Sequence, residues 1–153
     1  MTLRLSADVV VRAPPECVFE LICTPERLPE WNVSVERARR ASPDESVGVG
    51  SRAVMSGRLL SQVIESETEV TECVPPTRFA TRAIRGPRLL TRFALEPLLG
   101  STRVVIEVMG EVPGGAIGER LAEGFLRREL TASLQRLRAL SEATAQADSP
   151  NLP

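Results

Sequence analysis

Histidine, lysine and tyrosine are absent from this chain of 153 residues, and their absence removes several chemistries at once. Without histidine, no side chain ordinarily changes charge near neutral pH, and the commonest general acid–base catalyst and metal ligand is missing. Without lysine, no side-chain Schiff base can form with a carbonyl substrate. Chemistry is left to carboxylates, thiols, hydroxyls and arginine, which supplies all 19 basic residues. Cysteine is scarce. Cys17, Cys23 and Cys73 are odd in number and sit at no metal-ligand spacing, which predicts buried or half-buried free thiols and no metal or cofactor. A charge excess of either sign is lacking too. The 19 arginines face 20 acidic residues, a net charge of -1, which leaves no field to attract nucleic acid or an anionic membrane. No apolar run approaches the roughly 18 residues that span a bilayer. Arg4 and Asp8 interrupt the start where a secretory signal needs an unbroken apolar stretch, so a cytoplasmic protein is expected.

The composition, 42% hydrophobic and 25% charged, is that of an ordinary globular domain. We find no repeat and no linker, which predicts one domain over residues 1–146 and a disordered tail over 147–153.

The first segment alternates, with Leu3, Leu5, Ala7, Val9 and Val11 in one phase and Arg4, Ser6, Asp8 and Arg12 in the other. That is a half-buried strand. Pro14-Pro15 then opens a short helix whose stripe is Val18, Phe19, Leu21 and Ile22, and Pro25 opens a second helical turn that brings Trp31 to the edge of the core. An extended segment is predicted from Asn32 to Ala41, followed by a strand over Ser51–Ser56 with a turn at Gly57-Arg58.

The longest strand is expected over Leu59–Cys73. Its phase holding Glu65, Glu67 and Glu69 faces solvent, so Gln62, Ile64, Ser66, Thr68 and Val70 face inward. Three more strands read as Arg78–Arg85, Arg88–Glu96 and Ser101–Glu111. Their inward sets are Phe79, Thr81 and Ala83; Leu89, Thr91, Phe93 and Leu95; and Thr102, Val104, Ile106 and Val108. Arg78, Arg82, Arg88, Arg92, Arg103 and Glu107 face outward, where cross-strand ion pairs keep the surface wet. From Ala116 to Ala145 the period is helical, with Ile117, Leu121, Phe125 or Leu126, Leu130, Leu134 and Leu137 as the apolar stripe and Glu119 and Glu123 among the polar side.

Strand, two short helices, six more strands and a long helix make an α+β domain. Short connections favour an antiparallel sheet, here a curved seven-stranded one. A terminal helix of roughly 30 residues is about 45 Å long and lies across the concave face. A straight helix does not touch a curved sheet everywhere, and the gap is a natural pocket.

Four segments carry a resemblance: Val9-Val-Val-Arg-Ala-Pro-Pro-Glu-Cys-Val-Phe19, Thr24-Pro-Glu-Arg-Leu-Pro-Glu-Trp31, Val47-Gly-Val-Gly50 and Glu69-Val-Thr-Glu-Cys-Val-Pro-Pro-Thr-Arg-Phe79. In this order, and with the closing helix, the chain resembles the START-related polyketide cyclase/dehydrase superfamily. The resemblance implies the helix-grip fold and a cavity for lipids, sterols, polyketides or similar hydrophobic molecules. It also implies that a cyclase would use pocket arginine, tyrosine and other polar groups, and this chain has no tyrosine.

The first functional reading is a binding module, monomeric or homodimeric, with a small hydrophobic ligand. Its expected wall is Trp31, Phe19, Gln62, Ile64, Thr68, Phe79, Thr81, Phe93, Ile106, Leu121 and Phe125. Trp31 would offer apolar area and its N–H, while Gln62, Ser66, Thr68 and Thr81 would orient a ligand oxygen. The second is a cyclase or dehydratase with Glu72, Arg52 or Arg82 in the cavity, although the facing of these three is open and Cys73 has no histidine to activate it. The third is an interaction or co-chaperone-like domain working through exposed Leu90 and Met109. A cavity without buried charge favours the first, a charged group inside the second, and a filled core the third.

Overall fold

The computed structural model describes residues 2–59, 62–111 and 115–148, and their side chains except those of residues 59, 115–117, 119 and 148. Ser61, the side chains of Ile117 and Glu119, and the tail from residue 149 on therefore lie outside the described residues.

Strand β1 (Thr2–Val11) leads through helix α1 (Pro15–Cys23) and a 3-10 turn (Pro25–Arg27) into the short helix α2 (Leu28–Trp31). Strands β2 (Arg37–Arg40), β3 (Arg52–Leu59), β4 (Gln62–Val74), β5 (Arg78–Arg85), β6 (Leu89–Leu98) and β7 (Ser101–Glu111) follow, and α3 (Gly115–Asp148) closes the fold. The strands form one sheet in the order β1-β7-β6-β5-β4-β3-β2, and every pairing is antiparallel. The helical segment after β1 carries the chain from one edge to the other, so β1 closes on β7 while β2 forms the far edge. Two register shifts in β4, at Glu67/Thr68 and Val70/Glu72, bend that long strand and add to the sheet's curvature.

Large and small side chains are divided unequally over the concave face. At one end Val9, Val11, Phe79, Phe93, Leu95, Val104 and Ile106 pack with Val18, Phe19, Leu21 and Ile22 of α1 and with Leu134 and Leu137 of α3. Edge-to-face ring contacts join Phe19 to Phe79 and Trp31 to Phe93. At the other end the inward residues of β3 to β5 are Ala53, Met55, Gly57, Ile64, Ser66, Thr68, Thr81 and Ala83, mostly too small to reach the helix. Packing is complete where the side chains are large and incomplete where they are small.

The structure departs from the sequence pattern at two places. The extended segment predicted from Asn32 is a turn until Glu36, because the Asn32 side-chain oxygen accepts the Ser34 N–H at 3.0 Å. Gly57-Arg58 is not a turn but the interior of β3, which runs to Leu59 opposite Gln62. Glycine is required at position 57 by close approach. A Cβ there would stand 1.7 Å from the Ser34 carbonyl oxygen.

On the convex face the strand arginines point outward as predicted. Arg82 pairs with Glu69 at 3.1 Å and Arg103 with Asp8 at 3.2 Å. These exposed pairs contribute little individually.

One ionic contact ties α3 to the end of β1. The Glu142 carboxylate accepts the Arg12 backbone N–H at 3.0 Å and the Arg138 guanidinium at 3.4 Å. The Arg12 amide, with the charge of Arg138 adding to it, holds Glu142 below the usual carboxylate range. A carboxylate with a lowered folded pKa stabilises the fold above its unfolded pKa, roughly 4.3, and this contribution is lost as pH falls through the folded value. Glu142→Gln is therefore expected to lower the urea midpoint at neutral pH, with wild type and variant converging as acid protonates the carboxylate in the folded state too. A midpoint difference unchanged by acid contradicts the assignment.

Candidate functional site

The incomplete packing leaves a cavity of about 290 Å³ between the sheet and the middle of α3, from Leu126 to Ser133. Room for one water is roughly 10–15 Å³, so this is a ligand-sized space and not a packing defect. Its far side is the closed core. Arg52, Arg58 and Pro87 on its outer lining are exposed.

The floor comes from alternate residues of the strands. Ile64, Ser66, Thr68 and Val70 of β4 lie beside Phe79, Thr81 and Ala83 of β5, then Leu89, Thr91 and Phe93 of β6, then Ile106 and Val108 of β7. Thr81 pairs directly with Thr91 across β5 and β6, and Thr68 is offset by one step on β4. The result is a band of hydroxyls across an otherwise apolar floor. Among the described residues none of these threonine hydroxyls has a protein partner, and none is sealed from the cavity or solvent.

The roof comes from Leu126, Glu129, Leu130 and Ser133 of α3 and from Trp31, Asn32, Ser34 and Val35 at the exit of α2. Two hydrogen bonds lock these segments together. The Val33 N–H donates to Ser133 Oγ at 3.1 Å, and the Ser34 hydroxyl donates to Glu129 Oε2 at 2.8 Å. Ser34 is thereby fixed from three sides, by Asn32, by Glu129 and by the bare Cα of Gly57.

Of the residues named from sequence, Trp31, Ile64, Thr68, Phe79, Thr81, Phe93 and Ile106 line this cavity. Phe19 does not; its ring packs against Phe79 inside the closed core. Gln62 is exposed at the start of β4. Leu121 is 72% exposed, and Phe125 is off the wall, where Leu126 takes its place. Trp31 is not at the mouth. It is 1% exposed, and its Nε1–H is spent on the Leu21 carbonyl at 2.9 Å, so it offers a ligand its ring and no donor.

The three charged groups proposed for catalysis are outside the interior. Arg82 is bound to Glu69 on the convex face, Glu72 pairs with Ala80 in the phase opposite to Phe79, and Arg52 stands at the rim. Burial pushes the Cys23 and Cys73 thiols up, which keeps both protonated and poorly nucleophilic. Among the described residues, no group of three potential ligands is placed to hold a metal, and no helix is long and apolar enough to cross a membrane.

Sequence reasoning missed Glu129, Ser34 and Ser133. A signal was present for the two on the helix, since Leu126, Glu129, Leu130 and Ser133 follow the three- and four-residue spacing of one helical face.

Comparison with known proteins agrees with this architecture. Residues 2–142 match the family described as polyketide cyclase / dehydrase and lipid transport. The chain belongs to that family. A search of curated sequences finds no significant match. Among solved structures, a protein from Thermus thermophilus is similar at 20% identity over 95% of this chain and 99% of its own, with a TM-score of 0.79. The Zhui aromatase/cyclase from Streptomyces sp. R1128 is similar at 13% identity, 93% and 94% coverage and a TM-score of 0.78. A START superfamily protein from Mycobacterium smegmatis is similar at 20% identity, 95% and 99% coverage and a TM-score of 0.73. These likenesses show the shared helix-grip fold.

Proposed function

We propose that the protein binds a hydrophobic small molecule in the cavity between the sheet and α3. The observation that carries this reading is the cavity itself: about 290 Å³, walled mainly by apolar side chains, with a band of unpartnered hydroxyls across its floor. Burial of an apolar ligand body supplies the affinity, and the hydroxyls select for oxygens at matching positions. Trp31, Ile64, Thr68, Phe79, Thr81, Phe93 and Ile106 would be the contacts. An unfilled core also speaks against a domain working only through its surface. The unit would be the single domain of residues 1–146, acting in the cytoplasm as a monomer or homodimer.

The test is a thermal-shift titration with fatty alcohols, sterols and aromatic polyketides. A ligand at about 100 times its Kd stabilises by roughly 2.7 kcal/mol, a shift on the order of 5 °C in a domain of this size. Flat melting curves with every class would contradict the reading.

A second reading, a cyclase or dehydratase, draws on the family and on Glu129, the one acidic side chain on the cavity wall among the described residues. A carboxylate beside a bound hydroxy or keto compound is a usable acid–base group. Turnover of bound ligand, followed by mass, separates it from carriage.

A further inference from the structure

We propose that Glu129 and Ser34 form a hydroxyl-selective subsite on the cavity roof, so that of two ligands with the same apolar body the protein takes the alcohol over the carboxylic acid. The inference rests on the binding function proposed above and adds which polar head group the cavity accepts.

Glu129 Oε2 is occupied by the Ser34 hydroxyl at 2.8 Å, while Oε1 has no protein partner among the described residues. A carboxylate accepts hydrogen bonds and donates none, so the vacant oxygen is matched by a ligand O–H and opposed by a ligand carboxylate. Within a space walled mostly by apolar groups the difference is large. A charge-assisted hydrogen bond is about twice as strong as a neutral one, and two like charges repel more strongly than in water.

A carboxylic acid would need a cation to offset that repulsion, and two of the three arginines lining the site are committed elsewhere. Arg40 donates to Glu26 at 3.0 Å and to the Glu45 carbonyl at 3.2 Å. Arg58 donates to Glu36 at 3.1 Å. Arg52 makes no ion pair among the described residues, but it is exposed and stands in the outward phase next to inward Ala53, where solvent screens its charge. The polar floor, with Thr68, Thr81 and Thr91, is neutral and carries no counter-charge.

The subsite is also held in place. The Ser34 N–H is bound by Asn32, its carbonyl lies against Gly57, and the neighbouring Val33 N–H is tied to Ser133 one turn along from Glu129. A recognition group fixed from several sides discriminates because it does not relax around the wrong ligand.

The experiment is displacement of the neutral dye Nile red by 1-dodecanol and by dodecanoate at pH 7.5, on wild type, Glu129→Gln, Glu129→Ala and Ser34→Ala. Wild type is expected to bind dodecanol at least about tenfold more tightly than dodecanoate. Glu129→Gln is expected to narrow the gap to about threefold or less, chiefly by tighter dodecanoate binding, because the amide removes the charge and adds a donor. Ser34→Ala removes the hydroxyl that holds Glu129 in place and is expected to weaken dodecanol binding about threefold or more, and Glu129→Ala, which deletes the charge and should narrow the gap likewise, carries the test should the Gln variant not fold. Equal affinity for the two probes in wild type, or a preference that Glu129→Gln leaves unchanged, overturns the subsite while the binding function stands. If neither the dye nor either probe binds, both fall together.

Discussion

Trp31→Ala is expected to lower stability by about 3–5 kcal/mol, the largest loss of any single truncation in this fold. Three consequences of one side chain add up. The indole is 1% exposed, so its removal opens a hole where Phe93, its edge-to-face partner at 6.1 Å, loses contact. The Leu21 carbonyl, which accepts the indole N–H at 2.9 Å, is left buried without a donor. The ring also forms the boundary between closed core and cavity, so neighbours moving into the hole would distort the ligand space. Because domains of this kind have only about 5–15 kcal/mol in total, the variant should be partly unfolded at 37 °C. Trp31→Phe keeps much of the apolar volume and should recover more than half of the loss. Far-UV circular dichroism during urea unfolding measures both, since the chain's single tryptophan is itself being removed. A loss under about 1 kcal/mol for the alanine variant would show that Trp31 is peripheral.

Gly57→Ala is expected to cost about 3 kcal/mol, at the upper end for a single added methyl group. The atom that the new Cβ would meet, 1.7 Å away, is a backbone carbonyl oxygen, which no rotamer change can move aside. Either Ser34 or the edge of the sheet must shift. If Ser34 shifts, its hydroxyl leaves Glu129; if the edge shifts, the Glu36 N–H loses the Ser56 carbonyl it reaches at 2.8 Å and β2 detaches. Gly48→Ala is the control. Nothing lies within 4 Å of a Cβ at that position, and its effect should be within about 0.5 kcal/mol. Denaturation midpoints for the pair, with amide exchange at Glu36, test the argument. Equal stability of the two variants would contradict it.

How much of this was legible depended on which physical signal each part of the chain carries. The facing of β4 to β7 could be read from alternation alone, because one face of an antiparallel sheet is wet and arginine or glutamate marks it. Gly57 could not, since glycine in a strand pattern signals a turn or a close backbone approach with equal force, and only the position of Ser34 decides between them. The helix was misread by arithmetic. At about 100° per residue, Leu126 lies about 20° from the buried Leu137 and Leu121 about 160° away, on the solvent side. Sorting by residue type put Leu121 in the stripe and left Glu129 and Ser133 out of it, although both stand on or beside the buried arc. The Ser34–Glu129 contact joins residues 95 apart in the chain, and no local pattern encodes such a pair. The small inward residues of β3 to β5 were visible throughout as a mildly polar phase. Their consequence, an unfilled space, depends on how far the helix stands off.

Everything proposed for this protein depends on the space under α3 being a binding site. The measurement that tests it most directly is titration of the ligand that stabilises wild type best against Ala83→Phe, which places a ring in the cavity from the floor of β5. The variant is expected to melt at or above the wild-type temperature without ligand and to have lost at least about tenfold in affinity, because filling the void stabilises the fold and evicts the guest. Undiminished affinity in a folded Ala83→Phe protein would contradict it and move the binding site elsewhere on the molecule.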